Sequence, residues 1–420
     1  MPLDNRASSF GASHATCSAA VEGSKWICCQ IGAREHYAVA RALRRHDALE
    51  LLITDAWVHP GNPLGLLSAG MRGRYHEELS SAYVYGPALR NIAFELQARK
   101  LERGWPLVMT RNRWFQRVAL SKLSRFDVGR SAPVLMSYSY AASELFAFAR
   151  RRGWRTVLSQ IDPGPAEEDI VSTLHDALPR QGSRWERAPK TYWSQWRREC
   201  ALADRIVVNS SWSRDALAGE GIPVDKIRIV PLAYKPSPDA LEFRRRYPTS
   251  FDRDRPLRVL FLGQINLRKG IAPILDAVRL LENEPVEFTF VGPTQIAIPM
   301  DLLNQSRVRW LGAAPRQSTD EFYKNADVFL FPTFSDGFGL TQLEAQAWKL
   351  PLIATAFCGE VVQHGQNGWV LPHITPSSIA TILRELLGDP RRLQAASDLS
   401  EVDERFELAN IGRQWLTVFD

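Results

Sequence analysis

Short runs of apolar, β-branched residues alternate with longer amphipathic stretches along almost the whole chain. The runs predict strands over Trp26–Gln30, Glu50–Thr54, Val134–Met136, Thr156–Ile161 and Arg205–Asn209. After a break they predict strands over Arg258–Leu262, Glu287–Val291, Arg309–Leu311, Val328–Phe331 and Leu352–Ala354. Most of these runs are apolar at consecutive rather than alternate positions, the pattern of parallel strands covered on both faces. Helical patterns such as IAPILDAVRLL and LTQLEAQAW fill the intervals. Such alternation specifies an α/β protein with doubly wound, parallel, Rossmann-like sheets.

The break is the stretch PLAYKPSPDALEFRRRYPTSFDRDRP, residues 231–256, with five prolines and dense charge before a fresh strand opens at Leu257. The expected organisation follows from it. Residues 1–24 are expected to form a disordered leader, 25–230 a first Rossmann-like domain, 231–256 a linker, and 257–400 a second Rossmann-like domain. A C-terminal helix over 401–420 has the option of returning to the first domain. At 420 residues and 45% apolar content the chain is long enough for two domains. Two open α/β domains facing each other leave a cleft at the carboxyl ends of both sheets, where ligands bind.

No run approaches the ~18 consecutive apolar residues of a membrane span, and the first 25 residues lack a signal-peptide core. The expected location is therefore cytoplasmic, with a peripheral place at the inner membrane surface as an option. Five scattered cysteines (Cys17, Cys28, Cys29, Cys200, Cys358) show no metal-ligand spacing and read as reduced, mostly buried thiols. Charge is uneven: residues 1–200 hold 28 Lys and Arg against 19 acids, whereas 257–420 hold 14 against 19. Between Arg99 and Arg155 there are 13 basic and 3 acidic residues. Two halves so different in charge imply different partners.

The most informative stretch is SDGFGLTQLEAQAW, residues 335–348. It follows the strand ending at Phe331 and opens a helix, so its glycine corner sits where unpaired N–H groups and a partial positive charge suit a phosphate. Gly337 and Gly339 are expected to let the backbone approach an anion and to adopt positive φ. Glu344 falls one turn into the helix, pointing back to the crevice, and Asp336 on the loop can accept from vicinal sugar hydroxyls. The strand ending at Leu262 runs into GQINLRKG, which brings the cations Arg268 and Lys269 to the same crevice.

These residues resemble the GT-B-fold glycosyltransferases, specifically glycosyltransferase family 4, whose second domain carries an acid, Gly-Phe-Gly, four residues and a glutamate. Here these are Asp336, Gly337-Phe338-Gly339 and Glu344. Flanking segments agree: GQINLRKG, VRWLGAAPRQSTDEFYKNADVFLFP and CGEVVQHGQNGWVLP in the second domain, ADRIVVNSSWSRDAL, KIRIVPLAY and Gly32 in the first. The likeness is strong from about 203 to 385 and thin from 40 to 200. It implies that Glu344 binds the ribose of a nucleotide-sugar donor. Lys269 neutralises the diphosphate beside backbone N–H groups from Phe338 through Gly339 and Leu340 to Thr341, and Asp336 holds the donor sugar. It also implies retaining, metal-independent transfer, with no cofactor, to a glycan or lipid-linked acceptor, as in cell-surface polysaccharide or glycoconjugate biosynthesis.

Three departures stand out. Asp336 is one methylene shorter than the usual glutamate. Gln264 replaces a frequent arginine, which leaves Arg268 as the second cation on the donor side. Where a histidine is frequent after the fourth strand of the first domain, LMSYSYAAS offers Tyr138 as the nearest substitute. Asp162, in IDPGPAEEDI, joins Asp336 and Lys269 as a catalytic candidate on topology; a turn carboxylate before Pro163 is the other reading. Gly32, Arg34 and Tyr138 are candidates on the acceptor or phosphate side, with His36 a weaker one.

The basic, Trp-rich stretches WPLVMTRNRWFQRVALSKLSR and RWERAPKTYWSQWRREC read either as a contact with anionic membrane or as solvated helix faces with buried tryptophans. No nucleic-acid-binding motif is present. A non-catalytic nucleotide-sugar-binding protein on the same scaffold remains the alternative to an enzyme.

Overall fold

The computed structural model describes residues 23–420 apart from 68, 130, 180, 183–184 and 316–317. The leader expected over 1–24, with Cys17, falls almost wholly outside the described residues.

Two parallel sheets are present. The first runs in the order β3-β2-β1-β4-β5-β6-β7, with β1 at Trp26–Gln30, β2 at Leu49–Thr54, β3 at Val84–Tyr85, β4 at Val134–Tyr138, β5 at Arg155–Ser159, β6 at Arg205–Val208 and β7 at Ile227–Ile229. The second runs β10-β9-β8-β11-β12-β13. It comprises β8 at Leu257–Leu262, β9 at Val286–Val291, β10 at Val308–Trp310, β11 at Val328–Phe331, β12 at Leu352–Ala354 and β13 at Gly368–Val370. Every pairing between these strands is parallel. Both orders reverse next to their first strand, which makes each sheet doubly wound, as the apolar pattern requires.

The near-continuous apolar runs are explained by burial on both faces. All five residues of β1 are buried, and the adjacent Cys28 and Cys29 belong to hydrophobic layers on opposite sides of the sheet. Burial pushes the Cys28 thiol up to about 12, so these cysteines serve as packing rather than as nucleophiles. In the second sheet Phe288, Phe290 and Trp310 stack along one face, the last two with ring centroids 4.4 Å apart.

Strand limits differ from expectation in two informative places. β4 continues to Tyr138, which places that side chain in the core instead of in a loop. β5 stops at Ser159: the Gln160 amide makes a last bond to the Val207 carbonyl of β6 at 2.8 Å, and the chain then turns away through Ile161 to Pro163, with the Asp162 carboxylate accepting from the Gly164 amide at 2.9 Å.

The C-terminal helix Leu408–Leu416 lies on the helix Ala38–Arg45 that follows β1, and Trp415 meets Trp26 edge-on at 6.1 Å. Gly412 makes this approach feasible, since a Cβ there would overlap the His46 ring. The segment 231–256 is also anchored. Arg245, 8% exposed, donates to the carbonyls of Tyr323, Lys324, Ala326, Trp348 and Lys349, at the ends of the helices Thr319–Asn325 and Thr341–Ala347. A single buried cation thus satisfies carbonyls left over at two helix C-termini, where positive charge is favoured.

Candidate functional site

The carboxyl ends of β1, β8 and β11 face one another across a cavity of about 710 Å³. The second domain contributes Gln264, Arg268 and Lys269 from the turn after β8, and Asp336 and Phe338 to Thr341 from the turn after β11. The first domain contributes Gly32, Arg34, Glu35, His36, Ile161 and Asn209. The structure therefore brings together most of the residues that the sequence singles out on the donor side.

The glycine corner has a definite construction. Gly339 has φ +83°, and a Cβ there would press on the Phe331 ring at 2.6 Å. Gly337 is glycine for a different reason than expected. Its φ is not positive, and an added Cβ would overlap the Ile161 carbonyl of the opposite domain. Its own carbonyl accepts from Ser210 Oγ of that domain at 2.8 Å. Gly337 is thus one of the points where the two domains touch, not a second left-handed residue.

The backbone donors also divide. The Phe338 N–H, expected to face an anion, donates to Asp336 Oδ1 at 3.2 Å, and the Phe338 ring is buried against Phe406. The N–H groups of Gly339, Leu340 and Thr341 have no acceptor among the described residues. These three therefore form the available donor set at the start of the helix Thr341–Ala347.

Lys269 and Asp336 form a direct ion pair, and the Lys269 ammonium also lies 4.6 Å from the centre of the Phe331 ring. Burial, and then the neighbouring Arg268 charge, push Lys269 down to about 7. The Asp336 carboxylate in contact with it opposes that shift and favours the charged form. Arg268 donates to the Ser335 carbonyl at 2.8 Å and to Glu167 of the first domain at 3.3 Å, with Asp336 at 3.9 Å. Arg268 thus ties the two domains together at the edge of the cavity. Gln264 projects as an exposed neighbour of Asn266, whose amide approaches it at 3.4 Å.

Glu344 lies in the first turn of its helix, where its Oε2 accepts from the Tyr323 hydroxyl at 2.7 Å. It is half-buried and stands behind the cavity wall made by Leu340 and Thr341. Tyr323 is fully buried and is itself a carbonyl partner of Arg245, so the orientation of Glu344 is coupled to the linker.

In the first domain the Gly32 amide is committed to Asp55 at 2.8 Å, and Asp55 is held by Arg74 at 2.7 Å. Gly32 lines the cavity without offering its N–H. Arg34 lies over the buried Tyr138 ring at 5.6 Å, so Tyr138 supports Arg34 from below. Asp162 does not line this cavity. It lines an adjoining one, where its Oδ1 accepts from the Tyr140 hydroxyl at 2.5 Å.

One residue that sequence reasoning missed is Glu35. Glu35, His36 and Tyr37 all have positive φ, between 51° and 61°, a run of left-handed non-glycine residues at the cavity rim. Each costs roughly 1–3 kcal/mol and persists only where the surroundings enforce it. Desolvation raises the Glu35 carboxyl to about 7 despite Arg34 beside it. Nothing in AREHY signals this, because the same letters open an ordinary helix.

The Trp-rich stretches turn largely inward: Trp196 is core, Trp114 stacks on Phe94 at 4.7 Å, and Trp105, Trp185 and Trp193 line the adjoining cavity. No helix among the described residues is long and apolar enough to cross a membrane.

Comparison with known proteins agrees with this geometry. Residues 256–389 match the family model described as glycosyl transferases group 1. The amylovoran biosynthesis glycosyltransferase AmsK of Erwinia amylovora is 24% identical over 198 residues, 43% of this chain and 46% of that protein. The D-inositol 3-phosphate glycosyltransferase of Kineococcus radiotolerans is 30% identical over 225 residues, 46% of this chain and 51% of that protein. The chain spans about half the length of the curated relatives it matches. Among solved structures, Anabaena HepE in complex with UDP and glucose aligns over 93% of this chain and 98% of its own, with a TM-score of 0.56 at 15% identity. Sucrose-phosphate synthase from Thermosynechococcus elongatus aligns over 93% and 97%, with a TM-score of 0.62 at 17% identity. The fold is that of the GT-B glycosyltransferases.

Proposed function

From a second domain that matches the group 1 glycosyl transferase model, facing a first α/β domain across a cleft, we propose that the protein is a retaining glycosyltransferase of the family 4 kind. It moves a hexose-type sugar from a nucleotide-sugar donor to a hydroxyl of a glycan or lipid-linked acceptor, in polysaccharide or glycoconjugate biosynthesis. The observation that carries this reading is the convergence on one cavity of three uncommitted N–H groups, at Gly339, Leu340 and Thr341, with the cations Lys269 and Arg268. That set fits a diphosphate.

In this reading the diphosphate sits at the corner, with Lys269 as its counter-charge. Glu344, steadied by Tyr323, accepts from the ribose hydroxyls. Asp336, released from or shared with Lys269, takes the hydroxyls of the sugar. As the bond from the anomeric carbon to the diphosphate oxygen breaks, negative charge grows on the leaving group. Donors already aimed at that oxygen stabilise the transition state more than the ground state. Lys269 and Arg268 supply the positive charge in this scheme, which is why metal-independent transfer is proposed.

Two supports come from elsewhere: relatives named for polysaccharide biosynthesis, and neighbours solved with UDP. Peripheral attachment to anionic membrane belongs to the same proposal. Leu89 and Leu96, 70% and 62% exposed and two turns apart on the helix Ala88–Leu101, stand near Arg99 and Lys100 in its last turn.

The test is donor turnover with NMR of the product anomer. UDP-, GDP- and ADP-hexoses are incubated with the protein and an acceptor panel in the presence of EDTA. Release of nucleoside diphosphate with retention at the anomeric carbon is expected. Tight donor binding with no turnover across the panel would favour the non-catalytic binding protein instead.

A further inference from the structure

A second cavity, of about 420 Å³, adjoins the first and shares Arg268 with it. Its walls are aromatic. Trp105 packs on Tyr192 at 4.8 Å, Tyr140 stacks on Tyr192 at 4.9 Å with 20° between planes, and Trp193 meets Tyr192 edge-on at 5.1 Å. On the far side Trp185 stacks on His175 at 5.6 Å. Three carboxylates, Asp162, Glu167 and Glu168, share the cavity with these rings.

The acids are held in place by their surroundings. Glu168 accepts from the Trp193 indole N–H at 2.7 Å and from the Ala188 amide at 2.5 Å. Asp162 is fixed by Tyr140 and Gly164, and Glu167 by Ser335 Oγ at 2.8 Å and by Arg268. Fixed aromatic faces beside fixed acceptors suit a molecule with flat, polarised C–H faces and many hydroxyl donors at its edge. Three acids oppose one guanidinium already engaged by Glu167 and the Ser335 carbonyl, and burial lowers the His175 affinity for a proton. A phosphate or carboxylate brought here would meet like charge.

We infer that this cavity binds a neutral saccharide, the terminal unit of the acceptor, with its reacting hydroxyl directed past Arg268 toward the first cavity. The inference rests on the glycosyltransfer reading and narrows its acceptor to an uncharged pyranose. In the transfer the acceptor oxygen bonds to the anomeric carbon as the carbon–diphosphate bond breaks, and the hydroxyl proton leaves with the diphosphate. The rings carry the ring face, and the acids take the remaining hydroxyls.

Ligand-observed saturation-transfer NMR tests this on the full chain. The probes are methyl glycosides of glucose, galactose, mannose and N-acetylglucosamine, with hexose 6-phosphates and glucuronate for comparison. At least one neutral glycoside is expected to bind, with its charged counterpart at least about tenfold weaker, and Trp105→Ala is expected to weaken binding about tenfold. Trp185→Ala, on the opposite wall, serves as the second variant if Trp105→Ala does not fold. The inference is overturned if no neutral glycoside binds, if 6-phosphates bind equally well, or if neither variant changes affinity. A parallel titration with UDP, GDP and ADP separates the two readings. Nucleotide binding with glycosides failing these criteria sinks the cavity assignment alone, whereas glycoside binding without any nucleotide binding sinks the donor reading and leaves the saccharide site.

Discussion

Replacing Arg245 by leucine removes one cation from five backbone carbonyls at once. Its guanidinium reaches Tyr323 at 2.7 Å, Trp348 at 2.9 Å, Lys324 at 3.1 Å and Lys349 at 3.2 Å, with Ala326 closer still. A hydrogen bond to a charged group is worth about 1.5–3 kcal/mol singly, but five bonds to one buried group do not add. Desolvating the guanidinium opposes the gain, as its lowered proton affinity shows. Removing one partner from a buried charged network typically costs about 3–5 kcal/mol, and that is the expected loss here. At roughly 2–4 °C per kcal/mol for a domain of 150–250 residues, the melting temperature should fall by about 6–20 °C. Calorimetry on the full chain, with Arg245→Lys expected to lie in between because an ammonium cannot span all five acceptors, checks the number. A fall of less than about 2 °C would refute the idea that this linker residue locks the two helix ends together.

Other outcomes follow from the cleft. If Lys269 acts as a cation, kcat/KM should fall as pH rises through about 7, where burial and Arg268 place its proton loss. Contact with Asp336 would move that limb upward, and Lys269→Arg should abolish it below pH 9; a flat wild-type profile from pH 6 to 9 would contradict the assignment. Gly337→Ala should drive Ile161 away from the corner and cut kcat/KM by on the order of 10²-fold, with a more open particle by small-angle scattering. Unchanged activity would mean that the domain contact at Gly337 is not needed. Dialysis against EDTA should leave turnover unaltered, and loss restored by magnesium or manganese would rule out the metal-independent scheme.

Much of the fold was legible because two-faced burial writes itself as continuous apolar runs, as in LRVLFL of β8. The strands that escaped, β3, β7 and β13, have two or three residues each and lie at sheet edges. Runs of two or three residues are too short to show a period. In the site, the order of the turns after β8 and β11 was enough to bring Lys269, Asp336 and Gly339 together. Three things were not legible. Gly337 is small because of Ile161, far away in sequence; the left-handed run Glu35 to Tyr37 depends on what packs around it; and the convergence of Trp105, Trp185 and Trp193, from separate stretches, on one cavity has no mark in either stretch. Each is a tertiary fact with no local signal.

The central claim is that the cavity between the domains binds the diphosphate and ribose of a nucleotide-sugar. Calorimetric titration of UDP, GDP and ADP into the wild-type protein, Glu344→Ala and Lys269→Ala tests it most directly. One nucleotide should bind, stabilising the protein by about 2.7 kcal/mol at a hundredfold excess over Kd. Each variant should weaken it by roughly 10- to 100-fold, the value of a charged hydrogen-bonding partner. No binding by any of the three, or wild-type affinity in both variants, would contradict the account.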